Sequence, residues 1–487
     1  MVRIAVIGAG AAGLSAAHHL LQNGCEVKIY ERSSFVGGQA STFEVLKGIP
    51  LERGYHHLFM SDTDIIDLID HLGLSSQLKW IPSKVGTFTR GKTFKFTTAL
   101  DLLKFSPLNL IDRLRLGILS LYLSKISDWH NLESSTAVNW LKNFGGQNIY
   151  EVFWEPMLQG KFGKKYFSQV NMAWIWGKIN TRFASRKGFL AKELLGYPLC
   201  SFGTVFDELV RSIKKRGGIV ELSREVTKII SLDHDQKVKI ISELKADTWQ
   251  SPTKYDFSPE TIEFESKEKN IHTDEFDAVI VTTPSYVFSN IMDKMHSDYQ
   301  ASLLSQNYLS AVLLILVLKS PLSEYYWLNI ADRKIPFVGV IEHTNLADGT
   351  NYNDKHIVYL SNYVSKDDPL LKKSHKDLLD LYLPHLKKIN KDFVKDWIEE
   401  SFYQRVDAAQ PIVGINYSSQ ILSHETPFPN IYLANTTQIY PEDRGTNYSI
   451  RIGEKVAKLL LTNINTVSYT HLRAHETEAD LVCRLLL

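Results

Sequence analysis

The first 31 residues confine the fold more than any other stretch. Val2–Ile7 has the β-branched, apolar character of a buried strand and runs directly into Gly8-Ala9-Gly10-Ala11-Ala12-Gly13. Ala12, Ala16, Ala17, Leu20 and Leu21 then recur at helical spacing until Gly24, and Glu26–Tyr30 forms a second strand ending on Glu31. Glycines at these positions let the backbone turn tightly and approach a diphosphate, which meets the positive end of the helix. Glu31 stands 18 residues beyond Gly13, where a carboxylate accepts from ribose hydroxyls. A glycine-rich turn of another strand–helix unit would not require that acid, so the combined pattern predicts dinucleotide binding.

The residues that follow narrow the nucleotide. Arg32 and the run Val36-Gly37-Gly38-Gln39-Ala40-Ser41-Thr42 add a second glycine pair just past the acid. Glu52-Arg53-Gly54-Tyr55-His56-His57, Arg224–Ile229, Phe276–Pro284, and Ile431–Asn435 followed by a loop through Tyr448 and a helix over Ser449–Leu461 extend the pattern. Together these segments resemble the flavoprotein superfamily of amine oxidases, protoporphyrinogen oxidases, phytoene desaturases and UDP-galactopyranose mutases. Two positions depart from it: Gln39 stands where an arginine is usual, and Ala434-Asn435 where Gly-Asp or Gly-Glu is usual.

The resemblance implies FAD as cofactor. It implies contacts from Gly8, Ala9, Gly10, Ala11, Ala12, Gly13, Glu31, Arg32, Gly37, Gly38, Gln39, Ala40, Gly54, Tyr55, Val226, Thr283, Asn435, Asn447, Tyr448 and Ser449. It also implies an α/β fold: an interleaved Rossmann-like FAD-binding domain of the glutathione-reductase type, with a helical plus β-sheet substrate domain. No second GxGxxG is present, so no separate NAD domain is expected. The expected division gives residues 1–97, 193–285 and 401–465 to the FAD-binding domain, and 98–192 and 286–400 to a helical cap and a sheet.

Residues 466–487 back-translate to a sequencing adapter and are expected to be non-native, which removes Cys483 from consideration. The remaining cysteines, Cys25 and Cys200, offer neither a disulfide framework nor metal spacing, and packing roles are expected. A formal net charge of +1 gives no electrostatic footprint for nucleic acid. With 44% hydrophobic and 22% charged residues, and no apolar run long enough to span a bilayer, the expectation is a cytoplasmic globular protein. Its partner is expected to be a small-molecule substrate; oligomeric state is left open.

Within 98–192, the leucine-rich stretch from Leu102 to Leu123, interspersed with Arg113, Arg115 and Lys125, supports two readings. It is either the core face of a helical cap or a basic amphipathic helix lying on a membrane surface, and the cap is favoured. Strands are expected at Leu309–Leu318, Phe337–Glu342 and His356–Leu360, and hairpin-like strands at Lys237–Ile241 and Thr261–Glu265.

In such enzymes the flavin carries the redox step, so no catalytic triad is required. The candidate acid–base residues are His56, His57 and Glu342. Adjacent histidines titrate near neutrality, although one capping the backbone and one exposed is the alternative. Glu342-His343 at a strand end suits a ligand-facing site or a surface loop. Trp154-Glu155-Pro156 and Lys161-Phe162-Gly163 are cavity wall or packing; Arg182 and Arg186 share a helical face that holds an anion or is solvated. The Tyr440–Arg444 loop is expected at the flavin edge, with Asp443 and Arg444 free to pair with each other. The implied reaction is hydride transfer from a buried amine, porphyrinogen, polyene or glycan-type substrate to flavin N5. A redox-neutral mutase-like enzyme and a flavin-free binding module resembling the GDP-dissociation inhibitors are the alternatives.

Overall fold

The computed structural model describes residues 1–185, 193–199, 201–232, 237–245 and 270–464. The expected strand Thr261–Glu265, Arg186, Cys200 and the 466–487 tail lie outside these residues.

A five-stranded parallel sheet carries the opening motif. Its order is Ile219–Glu221, Glu26–Tyr30, Arg3–Ile7, Ala278–Val281, Ile431–Leu433. Every neighbouring pair is parallel. A parallel sheet needs cover on both faces, which is why Ile4, Ala5 and Val6 are all fully buried. Strand alternation sorts them: Ile4 and Val6 pack with Leu14, Ala17 and Leu20 of the helix Ala11–Gln22 and with the helix Ser201–Lys215. Ala5 and Ile7 face the opposite way, onto Val226, Ile229, Val238 and Ile240 of a three-stranded antiparallel sheet. The chain leaves and re-enters the parallel sheet repeatedly, in keeping with the interleaved architecture read from the sequence.

The second sheet has seven strands, ordered Ile398–Pro411, Tyr308–Leu318, His356–Val364, Gly339–Glu342, Trp327–Ile330, Val85–Thr89, Lys92–Lys95. Tyr308–Leu318 is buried on both faces. Leu313 and Ile315 point toward the parallel-sheet core, and Val312, Leu314 and Leu316 toward Leu378, Tyr382 and Leu386 of the helix His375–Ile389. Three of its strands come from outside the expected 286–400 segment. Val85–Thr89 and Lys92–Lys95 precede residue 98, and most of Ile398–Pro411 follows residue 400. Which sheet a strand joins depends on pairing across hundreds of residues, as in the parallel match of Val85 with Trp327, and local patterning carries no trace of it.

The cap between residues 99 and 184 is helical, as expected. The leucine-rich stretch forms two helices, Ala99–Leu103 and Leu110–Lys125, each with its own side-chain N-cap, Thr98 and Asn109. Only Leu116, Leu119 and Leu123 of the longer helix reach the cap core. Ile111 and Ile118 are 77% and 68% exposed, and Leu110, Leu114 and Tyr122 share that outward position. No helix among the described residues is long and apolar enough to cross a membrane.

Candidate active site

The site has two parts, a glycine cradle and a chamber beside it. In the cradle, Gly8 takes a positive φ of 105°, and a Cβ there would lie 2.6 Å from Thr282 Oγ1. A Cβ on Gly13 would overlap the Gly8 carbonyl oxygen. Both positions thus require glycine. Gly10 is the N-cap of Ala11–Gln22 and supplies no side chain, so no side chain caps the first N–H groups of this 12-residue helix. The second glycine pair closes on this turn: Gly37 N–H donates to the Ala9 carbonyl at 2.9 Å, and the Gly10 and Gly38 backbones are in contact. Ala40 is buried in the short turn that follows.

Glu31 accepts from Ala9 N–H at 2.8 Å and from Ser33 N–H at 2.9 Å, one bond per oxygen. A carboxylate has about four acceptor positions, so the contact expected for ribose is still available. Arg32 is exposed. Val226 lies buried beside Tyr30 and Val281. At the far side, the helix 446–464 locks onto the opening helix, because a Cβ on Gly453 would overlap the Ala12 carbonyl. Asn447 accepts from Ile65 N–H at 3.1 Å, while its buried Nδ2 has no partner among the described residues; Thr283 Oγ1 is in the same condition. Tyr448 and Ser449 are half-buried at this helix start. Unspent buried donors around a side-chain-free cradle fit a polar dinucleotide.

Two candidates are committed elsewhere. Gln39 Nε2 donates to the Ala408 carbonyl at 3.0 Å, and Asn435 Nδ2 donates to the Thr283 carbonyl at 3.1 Å and Ser285 Oγ at 3.2 Å. The first ties the 38–40 turn to the strand Ile398–Pro411, and the second joins the segments that follow Ala278–Val281 and Ile431–Leu433.

What is called the chamber is the place where side chains of Gly54–His57, the helices Glu155–Tyr166 and Met172–Ala184, the strand His356–Val364 and the 440–445 loop meet. His56 Nδ1 lies 2.6 Å from the Gly54 carbonyl. A carbonyl only accepts, so Nδ1 carries the proton and Nε2 is left as an acceptor. Burial pushes the pKa of His56 down to about 4, with Arg444 acting in the same direction. His57 Nδ1 lies 2.9 Å from the Tyr326 hydroxyl, and burial, with Arg182, His56 and Lys178, pushes its pKa down to about 3. Both imidazoles are therefore neutral near pH 7, and a pKa this low makes each a weak base.

Asp443 organises the opposite wall. One carboxylate oxygen takes Lys161 Nζ at 3.3 Å and Lys178 Nζ at 2.5 Å; the other takes Gln410 Nε2 at 3.0 Å and Trp174 Nε1 at 3.2 Å. Despite burial, Lys161, Lys178 and Arg444 hold this carboxyl well below the usual range. Arg444 turns away from Asp443 to donate to Tyr363 Oη at 3.0 Å, and Tyr363 meets Tyr55 Oη at 3.3 Å. Asp443 and Arg444 thus have separate partners, not the mutual pair weighed from sequence. Lys161 lies 4.6 Å over the Tyr363 ring. Gly177 admits the loop, since a Cβ there would lie 2.6 Å from the Pro441 carbonyl oxygen.

The chamber does not receive Glu342. That side chain is fully buried, and its carboxylate accepts from Leu322 N–H at 3.2 Å and Ser323 N–H at 2.5 Å, anchoring a loop. His343 is equally buried, 2.8 Å from the Tyr352 hydroxyl. Trp154 and Phe162 are packed in the cap core, and Arg182 pairs with Glu193 at 3.5 Å. Lys178 and Tyr363 escaped the sequence reading. Trp174, Lys178 and Arg182 at i, i+4 and i+8 were the available signal for Lys178; nothing local marks Tyr363.

Comparison with known proteins agrees with this geometry. Over 180 residues the chain is 29% identical to a zeta-carotene desaturase of Arabidopsis thaliana, covering 32% of each protein. It is 25% identical over 310 residues to protoporphyrinogen oxidase 2 of the same plant, covering 58% of this chain and 57% of that one. These matches span between about a third and just over half of the relatives' length. Reduced UDP-galactopyranose mutase superposes with a TM-score of 0.71 at 14% identity, over 95% of this chain and 96% of that one. The family description "Flavin containing amine oxidoreductase" matches residues 11–442. The chain belongs to the flavin containing amine oxidoreductases, with FAD as its cofactor.

Proposed function

We propose that the protein is an oxidoreductase that takes a hydride from a buried organic substrate, with Gly8–Gly13, Glu31, Gly37, Gly38, Val226 and the start of the 446–464 helix holding FAD. Bound FAD would supply the electron-pair acceptor. The observation that carries this reading is a helix end with no side-chain cap, in a cradle where a Cβ on Gly8 or Gly13 does not fit. Neutral His56, whose Nδ1 is committed to the Gly54 carbonyl, offers its Nε2 as a hydrogen-bond acceptor that orients a substrate O–H or N–H. The packed cap helices keep bulk water from that contact. Anaerobic mixing with amines, porphyrinogens, polyenes or glycans is expected to bleach the flavin with one class. If none bleaches it while a nucleotide sugar isomerises on pre-reduced protein, the redox-neutral alternative replaces this reading. A purified protein that stays colourless after refolding with FAD supports the binding-module alternative.

The outward face of Leu110–Lys125 supports a second proposal, peripheral contact with a membrane. Its exposed Leu110, Ile111, Leu114 and Ile118 lie among Arg113, Arg115 and Lys125, a combination suited to an anionic lipid surface. Co-sedimentation with phosphatidylglycerol vesicles, absent with phosphatidylcholine alone, is the expected result.

A further inference from the structure

The three cations of the chamber outnumber its one carboxylate. Lys161 and Lys178 share one oxygen of Asp443, Gln410 and Trp174 take the other, and Arg444 stands beside them, so among the described residues Asp443 is the carboxylate in contact with this cluster and both its oxygens are engaged; Asp62 acts on Lys178 from further away. Arg182 brings no surplus, since Glu193 balances it. The histidines are neutral. Each lysine ammonium has three donors and spends one on Asp443. The buried Arg444 Nε has no partner among the described residues. Lys178 keeps 40% of its side chain accessible, yet burial lowers its pKa, as expected of a group facing an enclosed space rather than bulk solvent.

We propose that the chamber binds the anionic oxo group of the substrate, a carboxylate or a phosphate, with Lys161, Lys178, Arg444 and the Tyr363 hydroxyl as its ligands. The inference deepens the oxidoreductase reading and rests on it for calling the bound molecule a substrate. Desolvated cations need a counter-charge, and among the described residues one carboxylate, Asp443, contacts this group of three cations. An ammonium would enter against a net positive wall. A hydrocarbon would strip water from the lysines and the arginine without replacing any hydrogen bond. An oxyanion satisfies the free N–H groups and the charge together, and a guanidinium beside two ammoniums is a recurrent oxyanion donor set. The protein's own response points the same way: Lys161 and Arg444 pull the Tyr363 phenol below its ordinary pKa against the effect of burial.

The test is calorimetric titration of the yellow holoprotein with hexanoate, hexanol, hexylamine and inorganic pyrophosphate, with the flavin spectrum followed in parallel. Hexanoate or pyrophosphate is expected to bind at least about tenfold more tightly than hexanol, with hexylamine silent. The first indicates a carboxylate-bearing substrate and the second a diphosphate. Lys161→Met and Arg444→Met are expected to erase the preference, and Arg444→Lys to recover part of it. All three are expected to retain flavin, which reports that the fold survives. Hexanol or hexylamine matching the anions, no saturable binding of either anion, or a preference that persists in both methionine variants overturns the proposal. A chain that binds the anions but never takes up flavin overturns the oxidoreductase reading and leaves the anion site standing.

Discussion

The glycine cradle presents backbone N–H groups and a helix end; the adjoining chamber presents two lysines and an arginine. The cradle is cheap to hold apo, because water can solvate its amides and no ion has been buried. The chamber is costly, because its cations are desolvated and only partly paired. One part is therefore pre-formed at little expense, and the other stores an electrostatic imbalance until a ligand arrives.

Removing Asp443 tests that imbalance most severely. Asp443→Asn leaves Lys161 and Lys178 without their counter-charge and is expected to cost about 3 kcal/mol in a urea titration, the low end for a buried pair because Lys178 is part-accessible. Adding Lys161→Met to that variant should restore part of the loss. Equal stability of Asp443→Asn and wild type would show that the chamber is screened by solvent, and the contrast with the cradle would fall. In the cradle, Gly13→Ala must push the Gly8 carbonyl aside. A strain of about 2 kcal/mol lowers FAD retention more than tenfold, read as flavin absorbance per protein, while anion binding in the chamber is kept.

A third measurement separates both parts from the buried acids beneath them. Burial pushes the pKa of Glu52 up to about 7 and that of Glu342 up to about 8. The folded state then holds protons that the unfolded chain has released, so this contribution is full below about pH 4.5 and is lost as pH rises through 7 and 8. Stability is expected to fall by about 1 kcal/mol between pH 7 and 8. Glu342→Gln should flatten that slope without altering flavin retention. An unchanged slope would place Glu342 outside the balance. The smallest effect belongs to the cap surface. Ile118→Ser is expected to change stability by under about 0.5 kcal/mol, yet weaken vesicle binding; unaltered co-sedimentation would remove this helix from the membrane proposal.

The same contrast governs what could be read from sequence. Gly8, Gly13 and Glu31 act through backbone turns and a two-strand spacing, all local, and the register Arg3–Ile7 against Glu26–Tyr30 follows from the strand pattern. Family resemblance carried the rest of the nucleotide region. The chamber is built from residues 161, 178, 363 and 443–444, set on two helices, a strand and a loop, and no periodicity relates them. Asp443 and Lys161 stood out singly; their meeting depends on the small residue at Gly177, which lets the 440–445 loop sit on the helix. Glu342 misled because a carboxylate beside a histidine at a strand end looks ligand-facing, whereas the loop amides of Leu322 and Ser323 absorb it.

The parallel sheet brings Arg3–Ile7 beside Ala278–Val281 and then Ile431–Leu433, and Gly453 seats the last described helix on Ala12. The first and last quarters of the polypeptide thus pack against each other at the glycine turn. A nascent chain emerging from the ribosome has synthesised its glycine turn long before the helix that closes over it exists. Until Ile431–Leu433 is made, the Ala278–Val281 strand shows an open edge that a chaperone or a neighbouring chain can grasp.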